Sequence, residues 1–477
     1  MPQRRGFHTL DKDLGRITYA ESAQRHAFRP VLRLGFAVLL LLAGLFLLIW
    51  FGGASTPNVV LAAGLLVAGW LGLAIGSNDV ANSLGPAVGA GAIGLLPGLV
   101  LVALAEIAGA SLAGGAVTER LARGILDVGA LTGGGAAPLV MLSALVGAAV
   151  WITTASGAGM PVSTSHSIVG GIAGSGLAAL GAGAIDWPSL ALITSTWVIT
   201  PLASALLAAA VVIFLRLKVL DVPDRAAAAL FWLPPLVGLT AGLFAAYLAL
   251  LARDHIDRVM ILPSGLAAAL AGGLMMRVMV RTELAASGGE PSSKRLFRPP
   301  LLVAVTIMGF AHGANDVGNI AGPLTVILAG RLEIGAALVP VTVLLVGAVA
   351  IALGTLLFGR RLVVMVGSGI TRLNASRAFC VAVATAATVL TASAFGLPVS
   401  TTHVAVGGVF GVGFAREWLD RRGDHDRSPL PAAETRRRML IRRSHVATIM
   451  AAWLVTVPLT ALIGSGCYLM IRWIAGT

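Results

Sequence analysis

Charge, cysteine and lysine are all scarce in this sequence. Of its 477 residues only 12% are charged, against roughly 25% in an ordinary soluble domain. With 57% of the residues apolar and a mean hydropathy of +0.91, one or two water-soluble cores could not hide the apolar side chains, and a soluble enzyme is excluded. Cysteine occurs twice, at Cys380 and Cys467, each within an apolar run. That excludes a disulfide framework and any paired-cysteine metal site. Lysine occurs three times, at Lys12, Lys218 and Lys294. The net charge of +13 raises the question of nucleic acid, but in so apolar a chain it reads as the positive-inside bias of cytoplasmic loops, and no nucleic-acid partner is expected. What is plentiful is glycine, 59 residues without a triplet period, as suits membrane helices that pack closely or unwind locally. The expected class is an all-α polytopic membrane protein with the lipid bilayer as its solvent.

Apolar runs fall at 31–51, 58–76, 95–115, 139–157, 161–180, 189–215, 231–252, 262–280, 301–312, 337–358, 378–396, 399–415 and 445–473. Several are shorter than the ~20 residues of a full crossing. If the chain starts inside and crosses at every run, the interior loops are 216–230, 281–300, 359–377 and 416–444. With residues 1–33 these hold 27 of the 34 basic residues, which orients the protein with a cytoplasmic N-terminus. The organisation expected is a cytoplasmic tail (1–30), an extra helix and loop (31–57), a first half (58–280), an inter-repeat cytoplasmic loop (281–300) and a second half (301–477). The second half includes the basic loop 416–444 and a final helix 445–473.

Two pairs of segments repeat. Residues 76–86 read GSNDVANSLGP and 313–323 read GANDVGNIAGP; residues 161–171 read PVSTSHSIVGG and 398–408 read PVSTTHVAVGG. The offset is 237 in both pairs, from Asn78 to Asn315 and from His166 to His403. A constant offset across separate motifs marks duplicated halves. Seven runs separate the first copy from the second, so the halves have inverted topology, as in many secondary transporters.

The motifs carry specific chemistry. Asp79 and Asp316 sit at the ends of apolar runs, where a carboxylate is costly unless partnered. Asn78 and Asn82 flank the first, Asn315 and Asn319 the second, four apart on one helical face. Such a face offers hard oxygen ligands to Na+ at Asp79 and Asp316; a titrating aspartate could serve H+ instead. Gly76, Gly85 and Pro86, matched by Gly313, Gly322 and Pro323, bracket the motifs as helix breakers and predict discontinuous helices. In the second motif, proline followed by Ser163, Thr164 and Ser165, and again by Ser400, Thr401 and Thr402, reads as a helix N-terminal cap and an anion site. Three further residues are auxiliary candidates: His166, His403 and Glu106. Glu106 has no carboxylate partner at Val343, its equivalent at the same offset. A serine hydrolase is disfavoured, because Ser and His on one short helix cannot easily form a nucleophile–base pair.

At these residues the chain resembles the inorganic phosphate transporter (PiT) family. The family pattern, a G-A-N-D-x-x-N and a P-V-S-T-T-H motif in each inverted half, stands here at 76–82, 313–319, 161–166 and 398–403. GTLLFGRR (354–361) and ITRLNASRAF (370–379) are similar to the family's second half. The resemblance implies about twelve (eleven to thirteen) transmembrane helices in two inverted repeats with discontinuous helices and re-entrant hairpins, often as a homodimer. It implies a non-enzymatic symporter that imports inorganic phosphate across the cell membrane with Na+ or H+, by alternating access and without a cofactor. Carried over by position, Asn78, Asp79, Asn82, Asn315, Asp316 and Asn319 would hold the cation, and Ser163, Thr164, Ser165, Ser400, Thr401 and Thr402 the phosphate. The alternatives are a sulfate or metal–phosphate permease of the same fold, a passive anion channel, or a non-transporting sensor. Ser77 and Ser165 depart mildly from the family pattern of Ala and Thr.

Overall fold

The structure is a computed structural model that describes residues 56–127, 136–158, 160, 162–252, 257–288, 292–329, 339–367, 373–423 and 443–475. The apolar run 31–51 and most of the basic loop 416–444 lie outside the described residues. The chain divides after Val59, and the last residues of its N-terminal unit form the first turn of helix α1. Among the described residues there are fifteen α-helices and one isolated β-bridge, Leu126 to Ile185. In hydrocarbon every backbone N–H and C=O must find a partner within the protein, which only helices and closed barrels allow. Ten helical spans among the described residues are long and apolar enough to cross a bilayer.

The first half comprises α1 (Thr56–Gly89), α2 (Leu95–Ala113), α3 (Gly115–Arg123), α4 (Ala137–Gly157), α5 (Thr164–Leu180) and α6 (Trp187–Leu215). A hairpin of α7 (Arg225–Leu251) and α8 (Ile261–Ala286) follows. The second half comprises α9 (Ser293–Asp316), α10 (Gly318–Ala329), α11 (Val341–Phe358), α12 (Arg360–Met365), α13 (Ala375–Ala394), α14 (Thr401–Gly423) and α15 (Arg443–Ala475).

The glycines reveal how the halves correspond. A Cβ on Gly76 of α1 would fall on the Ile351 carbonyl of α11, and a Cβ on Gly313 of α9 on the Glu106 carbonyl of α2. Likewise Gly109 of α2 lies against Phe310, and Gly354 of α11 against Leu73. Leu73 and Phe310 are 237 apart, but Gly109 and Gly354 are 245 apart, so α2 repeats as α11 in a longer register. The last helices repeat in a third register. Gly170 and Gly174 of α5 lie on Val457 and Ala461 of α15, and Gly407 and Gly411 of α14 on Pro201 and Ala205 of α6. Trp197 and Thr200 thus recur 256 positions on as Trp453 and Thr456. Each half's final helix clasps the other half's hairpin, α6 on α14 and α15 on α5. The stretch 424–442 stands where the first half needs only residues 181–186, so most of the basic loop is an insertion in the second repeat.

The expectation of discontinuous helices at the aspartate motifs holds in the second half, where Val317 separates α9 from α10, and is corrected in the first. Helix α1 runs unbroken through Gly76, Gly85 and Pro86 to Gly89. In the second half the chain deviates only at Val317, itself in helical geometry, between α9 and α10. The physical reason is close packing: the motif glycines receive a neighbour's backbone rather than unwind. Pro86, in the last turn of α1, removes one N–H without breaking it. The runs 58–76 and 301–312 are therefore parts of longer helices.

The described residues of the four basic loops lie at one end. Arg216, just after α6, reaches Asp221 (2.6 Å) and Asp420 of α14 (2.5 Å). Arg377 lies within electrostatic reach of Arg216, Arg416 and Asp420. Gly89 lies on Gly367, and Lys294 approaches Gly91. Among the described residues the α7–α8 hairpin has no counterpart in the second half. Its helices pack through Gly238 and Gly242 onto Ala269 and Gly265, while Leu262, Leu266, Leu270, Leu274 and Val278 of α8 stay exposed, as befits a lipid-facing stripe.

Candidate functional site

Helices α4 and α5, and their counterparts α13 and α14, form two hairpins whose tips meet beside α1 and α9. Each tip is capped as its residues require. Ser163 Oγ accepts from the backbone N–H of His166 (3.2 Å), and Ser400 Oγ from that of His403 (3.3 Å). The N–H groups of Thr164 and Ser165, and of Thr401 and Thr402, open their helices without a carbonyl four residues back. Both positive dipole ends thus point to one place. The two tips touch: Ser165 Oγ donates to the Val399 carbonyl at 2.9 Å, and the rings of His166 and His403 stand edge to face with centroids 4.4 Å apart. Trp197 stacks on His166 at 3.7 Å and donates its N–H to the Pro398 carbonyl at 3.1 Å. Trp151 donates to Thr456 of α15 at 3.1 Å.

Against these tips lie the aspartates. Asp79 is buried and accepts four hydrogen bonds from neutral groups, with the Asp316 carboxyl also within reach. Its Oδ1 accepts from Asn78 (2.7 Å), Thr402 (3.2 Å) and Asn82 (3.4 Å), and its Oδ2 from Thr164 (3.0 Å). Asn78 also donates to the Val162 carbonyl (3.1 Å) and accepts from Ser156 (3.2 Å). The second half reproduces this bracing. In the amide orientation that matches donors to acceptors, Asn315 donates to the Val399 carbonyl (2.8 Å) and Asp316 Oδ1 (3.1 Å), and accepts from Ser393 (3.2 Å). The cross-connections are reciprocal: Asn82 reaches Thr402 at 2.9 Å and Asn319 reaches Ser165 at 3.5 Å. A contact and its exchanged twin are what a twofold relation between the halves produces.

The symmetry is incomplete. Asp316 is met on Oδ2 by His312 Nε2 at 2.9 Å. His312 Nδ1 stands 2.7 Å from Glu106 Oε1, and Glu106 Oε2 accepts from Thr355 at 2.8 Å. Glu106, His312, Asp316 and Thr355 are all fully buried. One ligand atom each from Asp79, His312 and Asp316 lie within 4.8 Å of one another. Two corrections follow. The position equivalent to Glu106 is Ile351 rather than Val343, because α11 starts eight residues later in the repeat than the 237 register places it. Glu106 also does not stand alone but belongs to a chain of polar groups that ends on Asp316. His312 and Thr355 are not among the sequence candidates because, Glu106 apart, those are duplicated polar residues. The available signal was spacing, since His312 and Asp316 are one helical turn apart.

The six hydroxyls of the second motif are used differently. Ser163 and Ser400 are committed to capping, Thr164 and Thr402 donate to Asp79, and Ser165 donates to Val399. Thr401 Oγ1 and Asn319 Oδ1 are buried and have no hydrogen-bond partner among the described residues. Buried polar atoms are rarely left so unless something else binds them.

The phosphate transporter family model matches residues 75–464, a range that holds all four motifs. A protein of Helicobacter pylori (strain J99), provisionally named a phosphate permease, is 34% identical over 422 residues, covering 85% of this chain and 78% of its own length. The "inorganic phosphate transporter 2-1, chloroplastic" of Arabidopsis thaliana is 34% identical over 447 residues, covering 86% of this chain and 72% of its own. A solved structure described as "the sodium-dependent phosphate transporter" superposes with a TM-score of 0.77 at 29% identity, over 87% of this chain and 99% of that one.

Proposed function

Because the chain belongs to the phosphate transporter family, we propose that it is a secondary active symporter that imports inorganic phosphate, coupled to Na+ or H+, by alternating access of its two halves. The observation that carries this reading is the meeting of two capped helix N-termini beside Asp79 and Asp316, with Thr401 Oγ1 and Asn319 Oδ1 uncommitted next to them in sequence and space. Converging N-termini hold an oxyanion with neutral donors, each contributing up to about 2 kcal/mol in a partly buried setting. Two carboxylates in the same region would repel that anion. A bound cation offsets the repulsion, so cation and phosphate favour each other's binding, which is the coupling a symporter needs. Asp79, Asn78, Asn82, Thr164 and Thr402 make an all-oxygen, hard donor set that suits Na+, and the similarity to a sodium-dependent phosphate transporter supports Na+ first. Thr401, with the N–H groups of Thr164, Ser165, Thr401 and Thr402, is assigned to phosphate.

The basic loops at one end support a cytoplasmic placement of that end in a cell membrane under the positive-inside rule. Association as a homodimer rests on the family resemblance, and the mass of the detergent-solubilised protein tests it. A second reading, a metal–phosphate permease, is favoured by one observation: Asp79, His312 and Asp316 also form a donor set acceptable to a divalent cation.

The test is uptake of labelled phosphate into proteoliposomes with Na+ and pH gradients imposed separately. Coupled uptake that survives excess sulfate and chelation of divalent cations supports the symporter. Loss to sulfate indicates a sulfate carrier, and loss to chelation a metal–phosphate carrier. Uptake without either gradient indicates a channel, and no uptake a sensor.

A further inference from the structure

The two halves differ in kind at the contact between the aspartate helix and the helix packed on its motif glycine. In one half that contact holds Ile75 and Ile351, both fully buried; in the other the same two positions are His312 and Glu106, also fully buried. We propose that Glu106 and His312 are a single positioning unit. Glu106, braced by Thr355, fixes the His312 ring so that its far nitrogen holds Asp316, as the hydroxyls of Thr164 and Thr402 hold Asp79. The inference rests on the transport reading for what the unit serves, and on geometry alone for the pairing.

Geometry supports the pairing. Glu106 Oε1 and His312 Nδ1 stand 2.7 Å apart, which needs one hydrogen between them because bare lone pairs would repel. The far ring nitrogen, Nε2, is thereby brought to 2.9 Å from Asp316 Oδ2, a close approach rather than an aligned hydrogen bond. Glu106 has this ring partner only while His312 is present. Without His312 it would be a second buried carboxylate near Asp316, which nothing on α2 or α9 compensates. Conversely, His312 without Glu106 is left with an unpartnered ring nitrogen, free to turn away from Asp316. A carboxylate on the far nitrogen of a working histidine sets its tautomer and orientation. The consequence is that the two carboxylates are inequivalent: Asp79 is held by neutral oxygens and amides, Asp316 by an oriented nitrogen.

The other half specifies the test, since it shows that an isoleucine pair fits this packing. Wild type, Glu106→Ile, His312→Ile, the double variant and Glu106→Gln are compared by proteoliposome phosphate uptake and by melting temperature in detergent. Each isoleucine single variant should lose about tenfold or more in maximal uptake, whereas the double variant should exceed either single by about tenfold, a coupling of the size found for contacting polar pairs. Glu106→Gln, which keeps an acceptor for the ring, should recover most of the loss seen in Glu106→Ile. Its half-saturating cation concentration should shift while its phosphate KM stays unchanged, a split that a merely structural role would not give. A double variant no better than the worse single, or phosphate and cation affinities moving together in Glu106→Gln, overturns the proposal. Should a single variant fail to reach the membrane, a double variant that does so supports the pairing, and its equal failure counts against it. If wild type itself takes up no phosphate, the transport reading fails, and the pairing is then decided by whether melting temperatures are restored in the double variant.

Discussion

Thr402 lies 320 residues from Asn82 in the chain and 2.9 Å from it in the structure. The same hydroxyl donates to Asp79 Oδ1 at 3.2 Å, so a side chain from the second half's hairpin completes the first half's carboxylate site. Thr402→Val removes that donor and leaves the Asn82 amide with only its longer bond to Asp79 Oδ1 (3.4 Å). The expected cost is about 1–3 kcal/mol, read as a ten- to hundredfold weaker apparent affinity for the coupling cation. Ser165→Ala, at the twin position, should cost less, because Ser165 donates to Val399 rather than to Asp316. Cation titrations of uptake in the two variants check the asymmetry.

Thr401 separates binding from stability. Its hydroxyl is buried without a partner among the described residues, so Thr401→Val should leave the melting temperature nearly unchanged. If the hydroxyl contacts phosphate, the same variant should raise the phosphate KM about tenfold, the cost of about one lost hydrogen bond to a charged group, while Thr401→Ser should stay near wild type. Steady-state uptake across phosphate concentrations distinguishes the three proteins.

The motif glycines are expected to be intolerant for reasons of space. A Cβ at Gly76 or Gly313 would fall on a backbone carbonyl of the facing helix, so Gly76→Ala and Gly313→Ala should prevent accumulation of folded protein. Gly69, on the same helix as Gly76 but with nothing nearby, is the control. Gly69→Ala should be neutral or stabilising by up to about 1 kcal/mol through helix propensity. Detergent extraction followed by thermal unfolding reads all three.

Trp197 joins the two halves by its N–H to Pro398, and it stacks on His166 of its own half. Trp197→Phe keeps most of the stack and loses the hydrogen bond, which should lower stability by about 1 kcal/mol. Trp197→Ala loses both and should lower it by at least 3 kcal/mol. Equal melting temperatures for the two variants would show that the ring does not bear on the hairpin contact.

Polar residues stand out against an apolar background, and for that reason the duplicated N-D-x-x-N and S-T-x-H segments, their common offset and the capping role of the second motif were legible in the sequence. The hairpin tips and aspartates do come together as those motifs suggest. The α2–α11 and α6–α15 repeats were harder to see. Their matching residues are mostly glycine, alanine and proline in interhelical contacts, and insertions shift their register to 245 and 256. That shift placed the counterpart of Glu106 at Val343 instead of Ile351. His312 was overlooked because its twin is Ile75, so a search for duplicated polarity passes over it. Glycine and proline in α1 suggested a broken helix; packing gives the glycines a different use, since the Ile351 carbonyl occupies the space at Gly76 and the Val366 side chain that at Gly85. Sequence alone does not say which of these two uses a membrane glycine serves.

The central claim is that the buried aspartates couple a cation to phosphate. The most direct test is phosphate uptake by proteoliposomes under an inward Na+ gradient at symmetric pH, comparing wild type with Asp79→Asn, which is nearly isosteric. The account predicts that wild-type uptake rises with the gradient and that Asp79→Asn inserts normally but accumulates no phosphate above equilibrium. Gradient-driven accumulation by Asp79→Asn at the wild-type rate would contradict it.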